Sequence, residues 1–161
     1  MTIRIFVTGG TFDKEYDEIR EAFIFKNTHL PEILKLGRSI VDVDIRTLMM
    51  IDSLQMADED RQSILRNCQR TKQDKIIVTH GTGTMEDTAR VLSTIKDKTI
   101  VLTGAMIPYA YGSSDGLFNL GAALAFVQAL APGVYVAMNG SYFKWDNVTK
   151  NTKTGYFEVK Q

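Results

Sequence analysis

Three short apolar runs in this chain end the same way. Ile3-Arg4-Ile5-Phe6-Val7-Thr8 passes into Gly9-Gly10-Thr11, Ile76-Ile77-Val78-Thr79 into His80-Gly81-Thr82, and Ile100-Val101-Leu102-Thr103 into Gly104-Ala105. The second and third runs carry no charge, as strands buried on both faces of a parallel sheet do. Between them lie helical patterns. Pro31 opens a short helix through Leu36. Asp58-Glu59-Asp60 starts a helix to about residue 70, with acidic residues favourably placed against the helix dipole. Thr84 and Asp87 form a capping-box-like pair, followed by Met85, Ala89 and Leu92 on one helical face. Residues 116–130 read as an Ala-rich helix with Leu117, Leu120, Leu124 and Val127 in a stripe, stopped by Pro132-Gly133. Ile40-Val41-Asp42-Val43-Asp44-Ile45 alternates with period two, the pattern of a strand with one wet face, suited to a sheet edge. Residues 134–138 give a further strand, and short strands are expected within 140–161.

This alternation predicts an α/β fold over residues 1–161 as a single domain. Its doubly wound, mostly parallel sheet is flavodoxin/Rossmann-like, with right-handed crossovers placing helices on both faces. Residues 12–27 show neither period and are expected to form a mobile lid. A chain of 161 residues with 44% hydrophobic and 24% charged residues is ordinary for a globular domain. Lys+Arg and Asp+Glu balance at 19 each, which argues against nucleic acid or an anionic membrane surface as the main partner. No apolar run suggests a membrane span, and the N-terminus does not read as a signal peptide. Cys68 is the single cysteine. Beside Ile64 and Leu65 it reads as a small core residue, and one thiol fits a reducing, cytoplasmic location.

In a parallel sheet the three glycine-bearing exits lie on one edge, and ligands bind outside the carboxyl ends of the strands. Glycine there lets backbone donors approach a ligand closely. Thr11, Thr82 and the start of the helix after Thr84 make a set suited to an oxyanion or a carboxylate. "TGGTFD" lacks the G-x-G-x-x-G spacing, and no Gly-Lys-Ser/Thr occurs, so neither a dinucleotide fingerprint nor a P-loop is present.

Six motifs occur in order: "TGGT" at 8–11, "SLQM" at 53–56, "THGTGTMEDTA" at 79–89, "LTGAMIP" at 102–108, "SSDGLFNL" at 113–120 and "VTKNT" at 148–152. Each is weak alone. Together they resemble the bacterial asparaginase/glutaminase family of threonine amidohydrolases. The family's usual chain carries a second, C-terminal domain, so this sequence resembles a short single-domain form matching the first domain.

The resemblance implies a function: hydrolysis of L-asparagine to L-aspartate and ammonia through a Thr11 acyl-enzyme, with no cofactor or metal. Tyr16, on the loop after the nucleophile, corresponds to the family's activating Tyr. Thr82 and Lys150 correspond to its second Thr and its Lys, which move protons. Ser53 corresponds to a carboxylate-binding serine, and Ala105 to a position lining the substrate site through its backbone. Gly10, Gly81 and Gly83 join these as substrate-binding positions. His80 reads as a supporting residue. A small amino-acid substrate and a homo-oligomer, dimer or tetramer, are the implied partners. One position departs. Where the family has Asp after the second Thr, this chain has Gly83. The consequence is impaired activity, a substrate without a free α-amino group, or compensation by Asp52, Glu86 or Asp115. The alternative function is a non-catalytic amino-acid-binding module, or an amidase for a related amide, on the same fold.

Overall fold

The computed structural model describes residues 1–161. Strands β1 (Ile3–Gly9), β4 (Val43–Ile51), β5 (Lys75–Thr79), β6 (Thr99–Thr103), β7 (Gly133–Met138) and β8 (Ser141–Lys144) form a six-stranded sheet in the order β4-β1-β5-β6-β7-β8. The first five are mutually parallel, and β8 runs antiparallel to β7. Between β1 and β4 lie a hairpin, β2 (Lys14–Asp17) with β3 (Ala22–Phe25), and helix α1 (Leu30–Leu36). Helices α2 (Asp58–Arg70), α3 (Met85–Leu92) and α4 (Gly116–Ala129) fill the other crossovers, and β9 (Thr149–Lys150) pairs with β10 (Phe157–Glu158).

Period-two alternation in the buried strands divides the core in two. Phe6, Ile76, Val78, Ile100 and Leu102 face α2 and α3, meeting Ile64, Cys68, Met85, Ala89 and Leu92. Ile5, Val7, Ile77 and Val101 face α1 and α4, meeting Leu30, Ile33, Leu120, Ala123 and Val127. The three-layer expectation therefore holds, as does the edge position of β4. That strand begins at Val43 and runs on to Ile51, because β1 pairs with it from Ile3↔Val43 to Gly9↔Ile51. Cys68 is fully buried, and burial pushes its thiol up to about 12, which fits a core residue.

Four expectations change. Residues 14–25 form a hairpin rather than a patternless loop. Leu117 stands 36% exposed, so the α4 stripe is Leu120, Ala123, Leu124 and Val127. Thr84 precedes α3 but makes no side-chain cap bond, because its hydroxyl donates elsewhere. Crossover hand is the fourth. The β5–α3–β6 and β6–α4–β7 connections advance in the same direction across the sheet, yet α3 and α4 lie on opposite faces. One of them therefore has the opposite hand. With α2 on the α3 face, the α4 connection is the left-handed one under the general preference. To change face, residues 104–115 pass over the carboxyl edge of the sheet.

Candidate active site

Three strand exits touch at that carboxyl edge. Gly10 follows β1 with φ +80°, and a Cβ on it would sit 2.4 Å from the backbone of Gly81. A Cβ on Gly81 would in turn sit 2.6 Å from Ser53 Oγ. Only glycine permits this backbone-on-backbone stacking. The threonines that end the strands support it. Thr8 donates to the Thr79 carbonyl at 2.7 Å and Thr103 to the Ala137 carbonyl at 2.8 Å, satisfying acceptors where the sheet ladder runs out. The stacking brings Gly10, Thr11, Asp52, Ser53, Leu54, Gly81, Thr82, Gly83, Met106 and Lys150 around one cleft of about 220 Å³.

Lys150 comes from far along the chain. Its ammonium donates to Thr82 Oγ at 2.8 Å, and its backbone N–H donates to Glu86 Oε1 at 2.8 Å. The strand carrying it is anchored by buried Val148 and by Phe157, which pairs across from Lys150. Ser53 begins a single 3-10 turn after β4, capped by Asp52, whose side chain accepts the Leu54 N–H at 3.0 Å. Ser53 Oγ accepts the Thr84 N–H at 3.3 Å, and the Ser53 carbonyl accepts the Thr84 hydroxyl at 2.8 Å. This is the bond that diverts Thr84 from capping its own helix. It ties the β4 exit to the start of α3 instead.

Around the cleft the titratable groups are mostly committed. His80 is fully buried. Its Nδ1 bonds the Gly81 carbonyl at 2.7 Å and so carries the proton, leaving Nε2 to accept from Thr88 at 2.7 Å. Burial lowers its pKa to about 4, so the ring is neutral and holds the Gly81 turn in shape. Asp13 is buried beside Thr11 and accepts from the Thr28 hydroxyl at 3.0 Å and the His29 N–H at 2.8 Å. Desolvation raises its pKa despite those bonds. Asp52 contacts the Lys14 ammonium at 2.5 Å, and this hydrogen bond holds its carboxyl below the usual range.

Seven of the nine residues anticipated for the site line this cleft: Gly10, Thr11, Ser53, Gly81, Thr82, Gly83 and Lys150. Two do not. Tyr16 stands on β2, half-exposed, its ring edge-on to Phe23 at 5.6 Å. Ala105 is 1% exposed, with its side chain in the α4-facing core, and Met106 takes the place in the cleft wall. The role expected of Ala105 belongs to its backbone, which a side chain turned into the core leaves in place. Leu54 and Met106 carried no chemical signal in the sequence. Both would have emerged only from knowing that the β4 and β6 exits flank β1 and β5.

Residues 2–159 match the family model for the N-terminal part of asparaginase. A probable periplasmic L-asparaginase of Haemophilus influenzae is 32% identical over 94% of this chain and 47% of its own length. The glutaminase-asparaginase of Acinetobacter glutaminasificans is 36% identical over 91% of this chain and 48% of its own. Among solved structures, the thermostable L-asparaginase of Thermococcus kodakarensis superposes with a TM-score of 0.85 at 28% identity, over 99% of this chain and 51% of that one. The chain thus spans about half the length of the curated relatives it matches.

Proposed function

This chain belongs to the asparaginase family, and from that premise we propose that it hydrolyses an asparagine-type side-chain amide to the acid and ammonia through a Thr11 acyl-enzyme. The Thr11 hydroxyl adds to the amide carbon, and its proton passes to the departing nitrogen. The C–N bond breaks to release ammonia and leave a threonyl ester. Water then adds to that ester, and the acid departs as Thr11 regains its proton. The Gly10 N–H is taken by the Ile51 carbonyl, so the backbone N–H groups of Thr82 and Gly83, after the Gly81 exit, are the candidate donors for the oxyanion. Ser53 is the candidate for the substrate carboxylate. Tyr16 is the candidate activator of Thr11, brought to it by closure of the hairpin once substrate is bound.

The observation that carries this reading is the Lys150 ammonium at 2.8 Å from Thr82 Oγ, in the cleft that Thr11 also lines. A cation fixed on a hydroxyl provides a route for protons at neutral pH. In a purified preparation, Thr11→Ala abolishes ammonia release, and Lys150→Met lowers it by about 10²–10⁴-fold. Release that survives Thr11→Ala overturns the acyl-enzyme.

A homo-oligomer is proposed as the working state, and light scattering on the purified chain tests it. A cytoplasmic location is proposed as well. The lone buried thiol supports it, as does likeness to the probable cytoplasmic L-asparaginase of Campylobacter jejuni, 32% identical to this chain.

A further inference from the structure

The charges that line the cleft do not balance. Asp52 is the only carboxylate lining it. One of its oxygens is taken by the Lys14 ammonium and the other by the Leu54 N–H. Glu86, in the first turn of α3, accepts the Lys150 backbone N–H. Asp115 accepts the N–H groups of Met106 and Ile107 at 2.9 Å each, and the Asn119 amide at 3.1 Å. Each neighbouring carboxylate is thus engaged in holding backbone or a lysine in place. Lys150, by contrast, rests on a neutral hydroxyl and has no ion-pair partner. Glu86 and Asp115, outside the lining, keep their negative charge but spend it on N–H groups; of the charges that line the cleft, Lys150 alone has no counter-charge.

Hydrocarbon covers the adjoining wall. Leu54 follows Ser53 directly and is 76% exposed, with its side chain over Gly83. A Cβ at position 83 would meet Leu54 Cδ2 at 2.8 Å and Ser53 Oγ at 3.2 Å. An ammonium brought here loses water, gains no carboxylate and faces Lys150, so its desolvation goes uncompensated. A methylene or a neutral acylamino group loses nothing comparable and gains apolar contact with Leu54. A carboxylate group is favoured by the same lysine.

We propose that the cleft selects side-chain amides that carry a carboxylate but no α-ammonium, such as N-acyl asparagines or half-amides of dicarboxylic acids, with Leu54 as the specificity-determining residue. Leu54 puts hydrocarbon over Gly83, so a group docked against that side chain meets no polar partner there. This proposal rests on the amidohydrolase reading for its chemistry, though its recognition component can be read separately.

The test uses the 161-residue chain in two assays. The first is ammonia release from L-asparagine, N-acetyl-L-asparagine and succinamate. The second is calorimetric binding of L-aspartate and N-acetyl-L-aspartate. The expected result is a kcat/KM at least about tenfold higher for the two amides lacking an ammonium, a clear difference in transition-state binding. N-acetyl-L-aspartate is expected to bind tighter than L-aspartate by a similar factor.

The double variant Leu54→Ala/Gly83→Asp opens the wall and adds a carboxylate. It should move the preference at least about tenfold towards asparagine. Position 83 has no left-handed backbone strain; Leu54→Ala removes the 2.8 Å contact, and Ser53 Oγ at 3.2 Å must give by a few tenths of an ångström. If no amide is hydrolysed, the amidohydrolase reading fails and the order of product binding alone decides the selectivity. Asparagine turned over as well as its acetylated form, aspartate bound as tightly as N-acetylaspartate, or neither product bound would each overturn the proposal.

Discussion

The strand-edge cluster and the β2–β3 hairpin are neighbours in sequence, Thr11 in one and Tyr16 in the other, yet they are held in opposite ways. The edge is fixed by backbone stacked on backbone at Gly10 and Gly81, with a buried neutral His80 beneath. None of the hairpin's strand residues is buried. It is held by its own pairing, by the stack of Tyr16, Phe23 and Tyr111, and by two clasps at its base: Lys14 on Asp52, and Asp13 on Thr28 and His29. A lone two-stranded hairpin is marginal by itself. The difference teaches where a rigid frame ends and an adjustable part begins within a few residues of chain.

The sharpest way to break the edge is Gly10→Ala. The added methyl meets Gly81 backbone at a left-handed φ, and the cost is about 4 kcal/mol from overpacking and strain together. Denaturant unfolding should register it as a large fall in midpoint. The same change at Gly112, which has positive φ but nothing within 4 Å of its Cβ, separates strain from collision.

Acid attacks the edge through His80. With its pKa at about 4 in the fold against 6.5 unfolded, the unfolded chain binds the extra proton between those values. Stability from the neutral ring is complete above pH 6.5 and falls by about 3 kcal/mol as pH drops to 4. Asp13, its carboxyl raised by burial, works the other way and costs stability as pH rises. Unfolding free energies followed across this window in the native chain and in His80→Gln isolate the histidine, whose share of the slope should vanish in the variant.

The smallest effect on stability should come from Phe23→Ala, which removes two aromatic contacts at an exposed site, about 1 kcal/mol. Its effect on ammonia release should exceed its effect on stability if Tyr16 acts from the hairpin. Equal, small losses in both would remove Tyr16 from the reaction.

Much of the frame could be read in advance. Ile76–Thr79 and Ile100–Thr103 are short, apolar and uncharged, and such runs have few alternatives to a central parallel strand. Once the sheet was parallel, its glycine-bearing exits had to share an edge. Lys150 among polar neighbours carried no such periodic signal, and its place at the site was anticipated only by the resemblance. The hairpin was hidden because Lys14-Glu15-Tyr16-Asp17 has no apolar face to alternate. Thr84 misled because a threonine before a helix has several acceptors open to it, and the nearby Ser53 carbonyl took the hydroxyl. The left-handed crossover has no local signature at all. It depends on which face of the sheet α4 buries against, a choice made by contacts dozens of residues apart.

Lys150 reaches Thr82 across 68 residues of chain, on a strand secured by Phe157. This gives the site a schedule as well as a shape. A ribosome that has delivered both threonines has not yet delivered their cation. Val148 and Phe157 belong to the same buried core as Ile76, Val78, Ile100 and Leu102, so the stretch that delivers the cation also completes that core. Closing the core and seating the ammonium on Thr82 are thus coupled, and residues 148–157 cannot come away without loosening both.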